Sequence, residues 1–197
     1  MKNTLITILI LHFSNLCLSQ GLAQDKEINL EKSKIKWYGK EITTKVHYGT
    51  LKFKKGILKF EDEILVSGEF IVDMESLSVD DLTGRGKKYL EDHLRSDDFF
   101  SVEKFKESSL KITSSSLIKD STFEVQGILS IKGISNTVKF TINTKESIDS
   151  KLTFDRTKFN VKYRSGNFFQ NLGDKLIYDD IDLEVSLVFL EDSLVLN

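Results

Sequence analysis

The sequence predicts an all-β domain: about eight antiparallel strands curled into a barrel, with one short helical insert near residues 84–95. Three observations carry this. Most of the chain alternates apolar and polar residues with a period of two, the pattern of strands that bury one face. The alternating segments are joined mostly by short turns, with no βαβ rhythm and no internal repeat, which points to a meander that closes on itself. Between Arg85 and Phe105 the period changes: Tyr89, Leu90, His93 and Leu94 recur at three- and four-residue spacing, the mark of an amphipathic helix. Eight closed strands leave an interior wide enough for side chains or for one slender ligand.

Residues 1–23 are of another kind. Lys2 precedes an apolar run from Leu5 to Leu18, too short to span a bilayer comfortably, and Gly21 and Ala23 stand at a workable spacing for cleavage. We read a secretory signal cut after Ala23, followed by a single barrel domain over residues 24–197, in a periplasmic or secreted protein. Cleavage removes Cys17, the only cysteine, and the mature chain is left without disulfide or thiol chemistry. Ser14-Asn15-Leu16 lacks the small residue expected before a lipidated cysteine. A formal charge of −2, with cations dispersed among acids, argues against a nucleic-acid surface. There is no proline, so turns rely on Gly, Asn, Asp and Ser.

After a polar lead-in, Ile35 to Gly39 and Val46 to Phe53 read as the first strands, with His47, Gly49, Leu51 and Phe53 on one face of the second. Lys54-Lys55-Gly56 reads as a turn, Ile57–Phe60 as a return, and Glu61-Asp62-Glu63 as a second turn. Ile64–Met74 is a long strand whose Ile64, Val66, Gly68, Phe70, Val72 and Met74 share a face, Gly68 making room in the interior. The helix ends at Ser96-Asp97-Asp98 and delivers Phe99-Phe100 into the next strand. Ser108–Ile118 turns polar halfway, as an edge or strongly bent strand would. Phe123 to Ile131 and Val138 to Ile142 form the clearest hairpin, joined by Lys132 to Asn136. Leu152–Tyr163 and Ile181–Phe189 complete the sheet, and Ser165–Lys175, with Phe168-Phe169, reads as a long loop or second short helix near a barrel mouth.

Motifs for chemistry are scarce. Two histidines remain in the mature chain, and there is no HExxH, CxxC or G-x-S-x-G, which leaves neither a metal site nor a hydrolase triad. His47 lies on an apolar strand face, as a hydrogen-bonded core or mouth residue or a ligand contact. His93 shares the helical stripe, where Asp92 or Asp97 would orient it. Arg156 is in phase with Leu152 and Phe154; buried, it must either latch the barrel through a carboxylate or meet a polar ligand head. Asp182 and Glu184 alternate with core positions and read as the solvated face.

Six blocks, taken in order, resemble the YceI-like family: Trp37-Tyr38-Gly39-Lys40, His47-Tyr48-Gly49, Gly68-Glu69-Phe70-Ile71-Val72-Asp73-Met74, His93-Leu94-Arg95-Ser96-Asp97-Asp98-Phe99-Phe100, Gly127-Ile128-Leu129-Ser130-Ile131-Lys132-Gly133-Ile134, and Phe154-Asp155-Arg156-Thr157-Lys158-Phe159-Asn160-Val161. The chain departs from the family pattern at Lys106 and Thr137, where prolines are usual. The resemblance implies a lipocalin-like barrel of the cell envelope that binds or transports an isoprenoid-type lipid, a polyprenyl chain or quinone tail, without catalysis and without a cofactor. The expected lipid contacts are Trp37, Phe70, Val72, Leu94, Phe99, Phe100, Val125, Leu129, Phe140, Phe154 and Leu187, with His47, His93 and Arg156 as the polar ones. Two rival readings stand beside it: an envelope interaction or stress module with a filled core, and a hydrolase of a lipid ester using His93. Transient membrane contact and a homodimer are left open.

Overall fold

The computed structural model describes residues 23–145 and 148–190; the expected leader falls on residues 1–22, outside them, and on Ala23. The described residues form nine strands: β1 Ala23–Glu27, β2 Lys34–Glu41, β3 Val46–Glu61, β4 Ile64–Asp73, β5 Glu107–Lys119, β6 Thr122–Ile131, β7 Ile134–Asn143, β8 Ile148–Asp155 and β9 Ile177–Leu187. Among the same residues one α-helix, α1, spans Gly84–Arg95. All pairings are antiparallel, in the order β3-β2-β9-β8-β7-β6-β5-β4 with β4 returning to β3, so the sheet closes into a barrel of eight staves. The ninth strand, β1, pairs with Ile57–Glu61 of β3, while β2 takes Val46–Leu51. The lead-in taken as merely polar therefore contributes a short strand in line with β2.

The β6–β7 hairpin shows why alternation reads well. Phe123, Val125, Leu129 and Ile131 face Val138, Phe140 and Ile142 in the core, and a slip by one residue would turn all of them to water. The turn is shorter than the sequence suggests: Lys132 and Gly133 alone, at φ 53° and 73°, make the left-handed two-residue loop that matches strand twist.

Elsewhere bulges overturn the simple count. Lys54-Lys55-Gly56 is not a turn; β3 runs straight through it, bulged between Phe53 and Lys55. Gly56 is needed for close approach, since a Cβ there would stand 2.4 Å from Ile28 Cδ1. A second bulge, at Val66 of β4 opposite Lys59 and Phe60, shifts the phase of the strand, which buries Leu65 and leaves Ile64 exposed, while Phe70 keeps its inward position. The space beside Gly68 is occupied by Leu58 and Ile112 side chains. β5 is bulged twice and bent, and lies between β4 and β6 rather than at an edge. β8 starts at Ile148 and stops at Asp155, whose carboxylate accepts the Thr157 N–H and opens a 3-10 turn over Arg156–Phe159. Phe99-Phe100 lies in the turns after α1, seven residues before β5 begins at Glu107.

The core falls into two clusters. One fills the barrel around Leu58, Leu65, Ile112, Phe123 and Ile142; the other, around Trp37, Met74, Leu77, Leu94, Phe99 and Val161, packs α1 and its flanking turns over one end. Leu51, Val72, Phe100 and Leu183 touch both and are only partly buried, because between the clusters the barrel is not filled.

Candidate functional site

Between the two clusters lies a cavity of about 180 Å³, walled by inward residues of β2 to β9 and roofed by Leu90, His93 and Leu94 of α1. Its wall is apolar almost throughout. Of the residues expected there, Trp37, Phe70, Val72 and Leu94 contribute to it, as do Phe99, Phe100, Leu129, Phe140, Phe154 and Leu187. Val125 is 1 % exposed and packs in the core away from the cavity wall. Tyr89 is 77 % exposed, on the outer side of α1, so the inward stripe of the helix is Leu90, His93 and Leu94. The alternation of β9 also brings Leu183 and Val185 to the wall, and that of β2 brings Ile35; these follow from the same period-two rule.

The roof is held by a strap the alternation did not reveal. Residues 77–83 cross from a 3-10 turn over Met74–Ser76 to α1; Ser78 exchanges backbone hydrogen bonds with Thr50 of β3, and the Asp80 N–H donates to Tyr48 O. Trp37 Nε1 donates to Ser78 O at 3.1 Å. Gly49 permits this contact, because a Cβ on it would lie 1.8 Å from Ser78 O. From the helix side, Glu91 accepts the Val79 N–H at 3.0 Å and Arg95 donates to Leu77 O. Sequence offered one hint, the Leu77-x-Val79 alternation, but the partner strand lies some thirty residues upstream.

His47 sits at the rim. Its Nδ1 is 2.7 Å from Asp81 Oδ2 in the strap, and Nε2 is 3.7 Å from Glu41. Burial alone would raise the Asp81 carboxyl, but the Tyr48 N–H and the His47 ring together outweigh it and hold the carboxyl below its ordinary value. His93 packs edge-on against Tyr163 at 4.4 Å and Phe99 at 5.7 Å, and its buried Nε2 has no hydrogen-bond partner among the described residues. Burial pushes this imidazole below its ordinary value; Asp98 opposes the shift and Arg164 reinforces it. The expected orienters are engaged elsewhere, Asp92 with Lys88 and Asp97 with Lys104.

Arg156 stands outside the cavity and is fully buried. It donates to the carbonyls of Val161 at 2.8 Å, Ile177 at 3.1 Å and Tyr178 at 3.2 Å, and its Nη2 lies 3.0 Å from Asp179 Oδ1. Asp179 also accepts from Ser165 and Asn167, both at 2.8 Å, so this cluster ties β9 to the loops at the barrel end. Of the two roles open to a buried arginine, the geometry is that of the latch. Asp182 and Glu184 face outward, paired with Lys40 and Lys151. Among the described residues no cluster of three or more metal-ligating side chains occurs.

Solved structures share the fold. BcnA of Burkholderia cenocepacia superposes with a TM-score of 0.63 at 21% identity, over 81% of this chain and 98% of that one. A polyisoprenoid binding domain from Saccharophagus degradans, implicated in plant cell wall breakdown, gives 0.56 at 11% identity, over 83% and 96%. The YCEI protein of Campylobacter jejuni gives 0.52 at 14% identity, over 98% and 100%. No curated protein sequence matches the chain. The model of the YceI-like domain, however, matches residues 27–189, and with that match and this barrel the chain belongs to the YceI-like family.

Proposed function

We propose that the protein binds and carries a long-chain lipid of isoprenoid type, a polyprenyl chain or quinone tail, in the cell envelope after removal of residues 1–23. The observation that carries this reading is the apolar cavity between barrel and helix. At about 10–15 Å³ of such volume per water-sized group, it takes roughly a dozen methylenes. At ~0.8 kcal/mol each they contribute about 10 kcal/mol before ordering costs are subtracted, enough for stable binding without a charged anchor. The polyisoprenoid binding described for the Saccharophagus degradans domain supports the same class of ligand. Hydrolysis of a lipid ester finds no support, because the His93 ring makes no hydrogen bond to a serine or carboxylate among the described residues.

Native mass spectrometry with lipid extraction tests the proposal on protein purified from its host envelope. The expected result is a co-purifying prenyl lipid, lost in Leu183→Trp, which fills the cavity wall while the barrel stays folded. An empty wild-type barrel, or equal lipid retention in the variant, refutes it.

A further inference from the structure

The wall of the cavity runs out to Gly39, Glu41, His47 and Ile177 at the end of the barrel. Glu41 faces this rim in phase with Ile35, Trp37 and Gly39, and the register with β9 shifts here so that Glu41 pairs with Ile177. Just outside stands an apolar surface left exposed among the described residues. Phe168 and Phe169 are 48 % and 49 % exposed, on a turn anchored by their N–H groups to Ser165 O and through Ser165 and Asn167 to Asp179. Ile42 is 43 % exposed and joins the same surface through its N–H to Leu176 O, while the Ile177 N–H bonds Arg164 O. The turns that carry these side chains also carry four cations, Lys45, Lys162, Arg164 and Lys175, with Arg164 over the Tyr163 ring at 5.0 Å. None has a carboxylate within 4 Å among the described residues, and Lys162 Nζ lies over the Phe168 ring at 4.7 Å. Over Lys162–Leu176 the only acids against three cations are those of Asp174, a local charge of +2 in a chain of −2. Two anchored, half-exposed phenylalanines, one of them under a lysine, on turns whose cations have no salt-bridge partner among the described residues are complementary to an anionic lipid surface, where aromatic rings enter the headgroup boundary and cations meet phosphates.

We infer that this rim docks the barrel onto an anionic bilayer, so that lipid crosses between membrane and cavity at the ends of β2 and β9 without entering bulk water. The inference rests on the carrier reading above and adds where the exchange takes place.

Flotation of the purified protein with protein-free vesicles tests it, using phosphatidylcholine alone and phosphatidylcholine with phosphatidylglycerol, at low and high salt. Binding is expected only with the anionic lipid and is weakened by salt. Lys45→Gln with Lys162→Gln and Lys175→Gln lowers it roughly hundredfold, about fivefold per charge, and Phe168→Ser with Phe169→Ser abolishes it. Both variants keep their co-purified lipid, since none of these side chains forms the cavity wall. Binding that ignores the anionic lipid or survives the phenylalanine changes overturns the docking site. So does binding confined to native membranes and lost on protease treatment, which would mean a protein receptor. A protein that retains lipid yet never floats loses only the docking site, whereas one that floats as expected but is empty loses only the carrier reading.

Discussion

Replacing Arg156 with methionine isolates the latch from the cavity. The guanidinium is fully buried, satisfies three carbonyls and lies 3.0 Å from Asp179. Methionine leaves those carbonyls without their donor and the largely buried Asp179 carboxylate without its counter-charge, though Ser165 and Asn167 still donate to it. Breaking a buried pair from one side costs about 3–5 kcal/mol, most of it the desolvation of the group left behind. With a urea dependence of about 2 kcal/mol per molar, the unfolding midpoint falls by roughly 2 M. Arg156→Lys should recover only part of this, because one ammonium cannot span carbonyls that a planar fork reaches together. Adding Asp179→Asn to Arg156→Met should cost less than the sum of the single changes, since the stranded charge is gone. Lipid retention, read by native mass spectrometry on the folded fraction, should not change. A loss below about 1 kcal/mol, or a folded variant that releases its lipid, would refute the assignment of Arg156 to the latch.

The strap and roof give four more expectations. Gly49→Ala drives a methyl into Ser78 O, so stability should fall by about 1–3 kcal/mol and the Ser78 and Asp80 amides should exchange faster with deuterium. His93 has a depressed folded pKa, so below its ordinary value the unfolded chain binds the proton first. Stability should therefore fall as pH drops through 6.5 toward the folded value, and denaturation of His93→Phe across that window should show the loss removed. Asp81 is lowered too, and as an acid its contribution is present above its ordinary value and lost as pH falls through the folded one; Asp81→Asn should flatten that acid limb of the unfolding curve. Lys132, whose ammonium is lowered by burial, donates to Phe99 O at 2.7 Å, and Lys132→Met should cost about 1–3 kcal/mol in thermal unfolding by stranding that carbonyl.

Closed antiparallel topology was legible because one buried face writes itself into the chain at every second residue, as in Phe123 to Ile131. The helix was legible for the matching reason, a change of period at Leu90, His93 and Leu94. Bulges were not: each inserts a residue and reverses the phase, so Leu65 is buried where Ile64 and Val66 were expected to point inward. Gly56 was mistaken for a turn residue because sequence cannot distinguish a glycine needed for reversal from one needed to admit Ile28. Most of the expected cavity wall is where alternation put it, whereas Arg156 was assigned its phase from a strand that ends at Asp155. The Asp81 pairing with His47 spans 34 positions and leaves no periodic trace.

The near absence of polar atoms along the cavity wall decides how a passenger can be chosen. Dispersion and burial reward every hydrocarbon that fits and penalise none for its chemistry, so discrimination falls to girth, stiffness and length. Two chains of equal bore should compete on even terms, and a rigid or over-long one should fit poorly in a cavity of about 180 Å³. Such a container trades selectivity for easy unloading: with no specific bond to break, its cargo leaves whenever an equally oily neighbour comes within reach.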